Sequence, residues 1–289
     1  MSSVLYDWSS PVCARVNHPS RGGTGTAARE RFMLRLRAFH ADVLLTFLAR
    51  LLTRKMAEMP ERITVVAPHQ DDETFGCGGL IAKHQKRGSD VQVVFLTDGS
   101  QAPLDGTGVS ERRELPALRK EEARRAMASL GVPEQRLHFL DCGDGTLHSL
   151  DQAARHALIE KLSSLLTSHG STAVFLPHWN DGHSDHDAAH VLAKEAASSV
   201  PKIGMLYQYV IWKPWLHPLY RPQFLRELSR AERLGITDVC AEKNAAIQAY
   251  TSQLATLPHG FLDRFLRSYE LFFPCRNQTS GLEATHCTR

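Results

Sequence analysis

The hydrophobic pattern of the 289-residue chain changes character twice. Up to about residue 29 it is polar, with Gly22-Gly23 and Gly25, and it reads as a loose arm. From Phe32 apolar residues recur at helical spacing: Phe32, Leu36, Phe39, Val43, Phe47 and Leu51. Arg35, Arg37, Asp42, Arg50 and Arg54 occupy the other faces. This predicts an amphipathic helix that ends before Pro60. Such a stripe is what a core helix needs, so the helix is read as docking on the core. A basic amphipathic helix lying on a membrane surface is the other reading.

After Arg62 short apolar runs alternate with longer periodic segments. Residues 63–67, 91–96, 137–140 and 173–176 predict buried strands. Helices are predicted over about 79–86, over 110–130 with Pro116 as a possible break, over 151–169, and from the region of His190 to 199. Residues 203–212 form a fifth apolar segment in which Tyr207 and Tyr209 alternate. Residues 213–222 hold three prolines and read as irregular, 222–234 and 239–257 as helical, and 274–289 as a polar tail. Strands that alternate with helices imply right-handed crossovers. The predicted class is therefore α/β, a Rossmann-like and mainly parallel sheet with helices on both faces. An arm and docking helix occupy 1–60, the main domain 61–273, and a flexible tail 274–289.

Composition narrows the partners. Charged residues at 22% and hydrophobic residues at 43% are ordinary for a globular protein. A net charge of +3 is too mild to argue for nucleic acid. No run of about 18 uncharged apolar residues calls for a membrane span. The six cysteines are scattered without a CxxC pair, which argues against a disulfide framework or a thiolate metal site and fits a reducing cytoplasm. The oligomeric state is not specified by the sequence.

The chemistry concentrates at two strand ends. The first strand runs into Pro68-His69-Gln70-Asp71-Asp72-Glu73, and Gly76, Cys77, Gly78 and Gly79 follow, read as a turn before the helix. Three adjacent acids repel one another and resist burial without a cation. The fourth strand runs into Pro177-His178-Trp179-Asn180-Asp181-Gly182-His183-Ser184-Asp185-His186-Asp187. His183 and His186 are three apart, as are His69 and Asp72, and at a helix start that interval shares one face. Ligands in open α/β sheets bind outside the carboxyl ends of strands, where both segments lie. Catalytic zinc takes three protein ligands and leaves one position open. His69, Asp72 and His186 supply two imidazoles and a carboxylate. Asp71 is then left as a base for water, and His183 as a group to polarise a carbonyl, stabilise an oxyanion or protonate an amine. Asp185 could orient a histidine from behind.

The two motifs resemble those of the zinc-dependent de-N-acetylases typified by N-acetylglucosaminyl-phosphatidylinositol deacetylase and its LmbE-like bacterial relatives. The family pattern Pro-His-Pro-Asp-Asp-Glu appears here as Pro68-His69-Gln70-Asp71-Asp72-Glu73, and His-Pro-Asp-His as His183-Ser184-Asp185-His186. Weaker agreement extends through Thr97-Asp98-Gly99, Arg119 with Glu122, Lys243, Tyr250 and Glu270. The resemblance implies a Rossmann-like fold and one zinc ion per chain on His69, Asp72 and His186. It makes Asp71 the base, gives His183 the oxyanion or acid role with Asp185 behind it, and sets Arg119 against a sugar or phosphate of the substrate. It implies hydrolysis of an acetamide on an N-acetylated amino sugar or its conjugate. Gln70 and Ser184 replace the two motif prolines; loss of their fixed φ would loosen both loops, and Gln70 adds an amide within possible reach of substrate. Trp179, Tyr207, Tyr209 and Trp212 are candidates for stacking on a sugar. The rival readings are another metal hydrolase acting on a different amide or ester, and a non-catalytic sugar- or nucleotide-binding module.

Overall fold

The computed structural model describes residues 43–102, 109–216, 222–258 and 260–277. The polar arm before residue 43, the first part of the predicted amphipathic helix and the end of the tail lie outside them. Helix α1 (43–52) leads into the short strand β1 (Arg54–Lys55). There follow β2 (Arg62–Ala67), α2 (Asp72–Lys86), β3 (Asp90–Thr97), α3 (Val109–Ser129), β4 (Leu137–Cys142), α4 (Gln152–His169), β5 (Ala173–Pro177), α5 (Ser184–Ser198) and β6 (Met205–Tyr209). The chain then adds α6 (Lys213–Leu216), α7 (Pro222–Leu228), β7 (Glu232–Gly235), α8 (Cys240–Gln248), α9 (Thr251–Leu254) and β8 (Tyr269–Arg276).

The strands form one eight-stranded sheet in the order β1-β7-β8-β6-β5-β2-β3-β4. Every pairing is parallel except those of β8, which runs antiparallel to β6 and β7. From β2 the chain steps outward to β3 and β4, then returns to place β5 on the other side of β2. The direction of winding therefore reverses between β2 and β5. The crossover helices part there, and a crevice opens beyond the carboxyl ends of the two strands.

Alternation along the strands sorts side chains onto two faces. Ile63, Val65, Val91, Val93 and Phe95 join one apolar layer with Leu80, Ile81, Met127 and Ile247, so α2, α3 and α8 cover that face. Val66, Val94 and Leu96 point the other way, towards Leu162 of α4 and the alanines Ala189, Ala193 and Ala196 of α5. Local signals set the helix ends. Asp151 accepts from the Ala154 amide to start α4, and Gly170 ends it in the left-handed region. Pro116 sits within α3 without ending it.

Several expectations change. Helix α2 starts at Asp72, so the glycines lie inside the helix and not in a turn before it. They serve close packing: a Cβ on Gly76 would lie 2.4 Å from the Tyr209 ring, and one on Gly79 2.6 Å from Ile236. Residues read as one helix over 222–234 become α7 and the strand β7, because β8 offers β7 a partner that its short sequence does not announce. The segment read as a tail from residue 274 continues β8 to Arg276, and the Asn277 amide donates to the Ala197 and Ile203 carbonyls. The docking stripe is also different. Leu45 and Ala49 are buried, and Leu45 packs against Phe224, Leu228 and Phe273, whereas Val43, Phe47 and Leu51 face solvent. Cys77 and Cys142 are free thiols, but Cys275 is disulfide-bonded, so scattered spacing does not here mean unpaired cysteines throughout.

A buried ion pair locks α2 in place. Glu270 of β8 accepts from the Gly79 and Leu80 amides at 2.7 and 2.8 Å. Lys243 of α8 donates to Glu270 at 2.6 Å and to the Phe75 carbonyl, one turn before Gly79, at 3.0 Å. Removing one partner leaves a buried charge uncompensated. Glu270→Ala is expected to lower unfolding stability by about 3–5 kcal/mol in urea denaturation. The double variant Glu270→Leu/Lys243→Met should lose clearly less than the two single changes added together.

Candidate metal centre

The loop after β2 is built around one unusual residue. Asp71 has φ 135°, a conformation that costs a non-glycine residue strain, and it stands at the N-cap of α2. Its carboxylate makes no capping hydrogen bond. Glu73 accepts instead from the Asp71 amide at 3.1 Å, and also from the hydroxyls of Thr74 and Tyr250. The loop is thus held by Glu73, and the Asp71 carboxylate is left for other work.

Across the crevice, the loop after β5 starts α5 with His183 at the N-cap, where its Nδ1 accepts from the Asp185 amide at 3.2 Å. His186 follows one turn on, fully buried. The two loops meet at Asp72. Its Oδ2 lies 3.2 Å from His69 Nδ1 and 3.2 Å from His186 Nε2. The rings of His69, His183 and His186 have centroids 5.0–5.4 Å apart, and each can bring one nitrogen within 4.8 Å of the others. His69 and His186 therefore meet at the Asp72 carboxylate, with the His183 ring beside them.

Two of the imidazoles, His69 and His186, are fixed from behind by carboxylates. His69 Nε2 lies 3.1 Å from Asp144 Oδ1 and 3.2 Å from Asp185 Oδ2. His186 Nδ1 lies 2.8 Å from Asp181 Oδ2. Asp185 also accepts from the Gly145 and Leu147 amides at 2.7 and 3.1 Å, which ties in the loop after β4. Asp181 accepts from the amides of Ile211, Trp212 and Lys213, which ties in the loop after β6. This carboxylate–histidine arrangement is the one that orients metal-ligating imidazoles.

The donor set fits a small divalent cation. His186 Nε2 is buried and has no hydrogen-bond partner among the described residues, although Asp72 Oδ2 is close by; the two are near but misaligned. Lone pairs that converge on a third point leave this signature. With zinc–nitrogen and zinc–oxygen bonds of about 2.0–2.2 Å, neighbouring ligand atoms of a tetrahedron stand about 3.3 Å apart. The two 3.2 Å contacts of Asp72 match such edges.

The electrostatics point the same way. Burial alone would lower the pKa of His186, but Asp72 and Asp181 outweigh it and push it up to about 9. Burial likewise opposes the charge on His69, yet its contacts with Asp144, Asp185 and Asp72 raise it well above the ordinary value. Burial raises Asp71 to about 8 against the pull of Arg119. Without another cation the cluster thus holds protons on its imidazoles and on Asp71. A divalent ion would take over that positive charge and favour ionised Asp71. His183 differs: burial and its two histidine neighbours lower its pKa, so it stays neutral. With Nδ1 accepting from an amide, its proton sits on Nε2.

Residues 64–197 match the profile of the PIG-L family, the GlcNAc-PI de-N-acetylases. The chain carries a PIG-L family domain. Diacetylchitobiose deacetylase of Thermococcus kodakarensis is 27% identical over 224 residues, 74% of this chain and 78% of that protein. The 1D-myo-inositol 2-acetamido-2-deoxy-alpha-D-glucopyranoside deacetylase of Mycobacterium sp. (strain JLS) is 28% identical over 243 residues, 71% of this chain and 78% of that protein. Among solved structures, N,N'-diacetylchitobiose deacetylase from Pyrococcus horikoshii superposes with a TM-score of 0.58 at 20% identity, covering 92% of this chain and 98% of that one. GalB, the 4-carboxy-2-hydroxymuconate hydratase of Pseudomonas putida KT2440, also reaches 0.58, at 21% identity, over 78% of this chain and all of that one. At those identities the two structures establish the α/β fold alone.

Within this PIG-L domain the expected residues separate into two groups. His69, Asp71, Asp72, His183, Asp185 and His186 gather in the crevice. The Asp185 carboxylate faces His69, while only its amide meets His183. Arg119 and Gln70 lie behind the loop. Arg119 is buried, donates to the Gln70 and Gly99 carbonyls at 2.7 and 3.2 Å, and stands 3.5 Å from Asp71. The Gln70 amide nitrogen donates to the Thr97 carbonyl at 2.7 Å, and its Oε1 has no partner among the described residues. Of the aromatic candidates, Tyr207 and Tyr209 are buried and Trp212 packs on Phe261, while Trp179 remains exposed. Sequence reasoning missed Asp144, Asp181 and Glu73. Asp181 stood inside the second motif, and Asp144 in an Asp-Gly pair read only as a turn.

Two outcomes follow from this geometry. Zinc uptake is expected to displace protons from the imidazoles, so apparent affinity should weaken about tenfold or more for each pH unit lowered below neutrality. Calorimetry in buffers of different ionisation enthalpy reads the released protons; pH-independent affinity with no release would refute the site. Asp181→Asn is expected to weaken zinc binding by about 10–100-fold in a chelator competition, with the fold retained by circular dichroism.

Proposed function

We propose that this protein is a zinc-dependent de-N-acetylase of N-acetylated amino sugars or their conjugates, with one zinc ion on His69, Asp72 and His186. One observation carries the reading: two carboxylate-backed imidazoles and Asp72 converge on a single point, beside an Asp71 carboxylate that is not spent on capping its helix. Bound zinc supplies Lewis acidity and lowers the pKa of water towards about 7. Asp71 then takes the proton as water attacks the amide carbonyl. The 3.5 Å contact with Arg119 steadies that carboxylate. Neutral His183 donates its Nε2 proton in a hydrogen bond to the carbonyl oxygen as that oxygen gains charge. The nitrogen of the broken amide needs a proton to leave, and Asp71 can return the one it took. The products are acetate and a free amine.

The substrate class rests on the two relatives, which are named for deacetylation of N-acetylated sugars. The hydratase that shares the scaffold is the reason that the fold by itself does not choose the reaction. A hydrolase of another amide or ester would use the same groups and differ only in what the crevice admits. Exposed Trp179, in the loop that leads to His183, is the available surface for a sugar ring.

A screen of N-acetylated amino sugars and their conjugates for free amine, with and without chelator, tests the proposal. Release is expected from at least one, lost with chelator and restored by zinc. Asp71→Asn should keep its zinc and lose about 10²–10⁴-fold in turnover. Undiminished turnover in that variant would remove Asp71 from the mechanism.

A further inference from the structure

Helix α1 is apolar on two sides, and the fold uses only one. Leu45 and Ala49 are buried, with Leu45 against Phe224, Leu228 and Phe273. On the opposite side Val43, Phe47 and Leu51 are 43%, 62% and 67% exposed, and Leu44 is 37% exposed beside them. Spacing by four aligns the three in one row along the helix. In the preceding sequence Phe32, Leu36 and Phe39 recur at the same helical spacing. Single exposed apolar residues need no account, but an ordered row of large ones marks a surface that meets something.

The charges beside the row select the occupant. Between residues 43 and 55 the charged side chains are Arg50, Arg54 and Lys55, all exposed, with no carboxylate among them. The preceding stretch adds Arg29, Arg31, Arg35 and Arg37 against Glu30 and Asp42. A second copy seated on this face in a two-fold dimer would bring its own arginines against these. Residues 1–28 carry Arg15 and Arg21 against the one acid Asp7, so that segment too would add cations to this face. A bilayer with anionic headgroups satisfies both features, since it takes up apolar side chains and faces the cations with phosphate. No helix among the described residues is long and apolar enough to cross a membrane, so contact would be along the surface.

We propose that the Val43–Phe47–Leu51 face of α1 docks the protein on an anionic membrane surface. The helix lies in the interface plane, with the row of apolar side chains turned into the lipid and Arg50, Arg54 and Lys55 at headgroup level. None of these residues belongs to the metal crevice, so the docking stands or falls apart from the proposed reaction.

The full-length protein would be sedimented with vesicles of phosphatidylcholine alone and with vesicles containing about one third phosphatidylserine. Binding is expected to the anionic vesicles, to be weaker on the neutral ones, and to fall as salt rises. Phe47→Ser/Leu51→Ser should reduce the bound fraction about tenfold or more, with unchanged thermal melting and unchanged zinc content. Arg50→Glu/Arg54→Glu should abolish the preference for anionic lipid. Absence of binding to either vesicle, or wild-type binding by the F47S/L51S variant, would overturn the proposal. So would a dimer in analytical ultracentrifugation that the same double substitution dissolves, because that result assigns the face to a second copy.

Discussion

Buried negative charge is the constraint that organises this protein. Asp72, Asp144, Asp181 and Asp185 are all buried around two imidazoles, with Asp71 at the edge. Carboxylates in that number are not stable together in a low-dielectric crevice unless positive charge is held among them. Arg119 answers part of it from behind Asp71. Protonated His69 and His186 answer more, which is why both are pushed above their ordinary range despite burial. Protons are a replaceable solution. A divalent cation held by His69, Asp72 and His186 would supply the same charge in one place and would favour ionised Asp71. Affinity for such an ion and ionisation of Asp71 would thereby be one electrostatic balance rather than two separate properties.

The scaffold exists to hold that balance under strain. The winding reversal between β2 and β5 opens the crevice, and four strand ends feed it: β2 with His69 to Asp72, β4 with Asp144, β5 with Asp181 to His186, and β6 through the amides that bind Asp181. Asp71 keeps its left-handed backbone because Glu73, Thr74 and Tyr250 fix the turn from below. Helix α2 cannot slide away, since Glu270 and Lys243 grip its middle and Gly76 lets it lie against Tyr209. A site assembled from separate loops needs this depth of support, because an error of about 1 Å in a ligand can cost two orders of magnitude in rate.

What could be read from the sequence followed from local signals. The central strands β2, β3 and β5 are largely apolar runs because both faces are covered, and the runs of β2 and β5 lead into the loops that line the crevice. The two motifs were legible because strand ends coincided with clusters of histidine and carboxylate. Harder to read was anything decided at long range. β7 has four residues and β8 reverses direction, so their pairing depends on each other and not on either sequence. The glycines after Glu73 suggested a turn, whereas close packing against Tyr209 and Ile236 requires them within a helix. Asp144 and Asp181 were invisible as partners because only the folded loops bring them to His69 and His186. In α1 both faces are apolar, so periodicity could place the helix but not choose which side would dock.

The two motif positions where proline is replaced show how the chain can depart from a pattern and keep its geometry. A proline at position 70 would fix one φ angle of the loop. Gln70 instead ties the loop at both ends of its own residue: its side-chain amide donates to the Thr97 carbonyl, and its main-chain carbonyl accepts from Arg119. The same guanidinium reaches Gly99 and stands beside Asp71, so rigidity at residue 70 is coupled to the position of the Asp71 carboxylate. Ser184 occupies the first position of α5, where proline is favoured because its absent N–H is not missed. There the start of the helix is held by the His183 side chain accepting from the Asp185 amide. That bond does more than replace a constraint on φ. It commits His183 Nδ1 as an acceptor and so sends its proton to Nε2, the nitrogen left to face the crevice. Hydrogen bonds thus take over what ring closure does elsewhere, and in the second loop they also set the tautomer that the proposed chemistry uses.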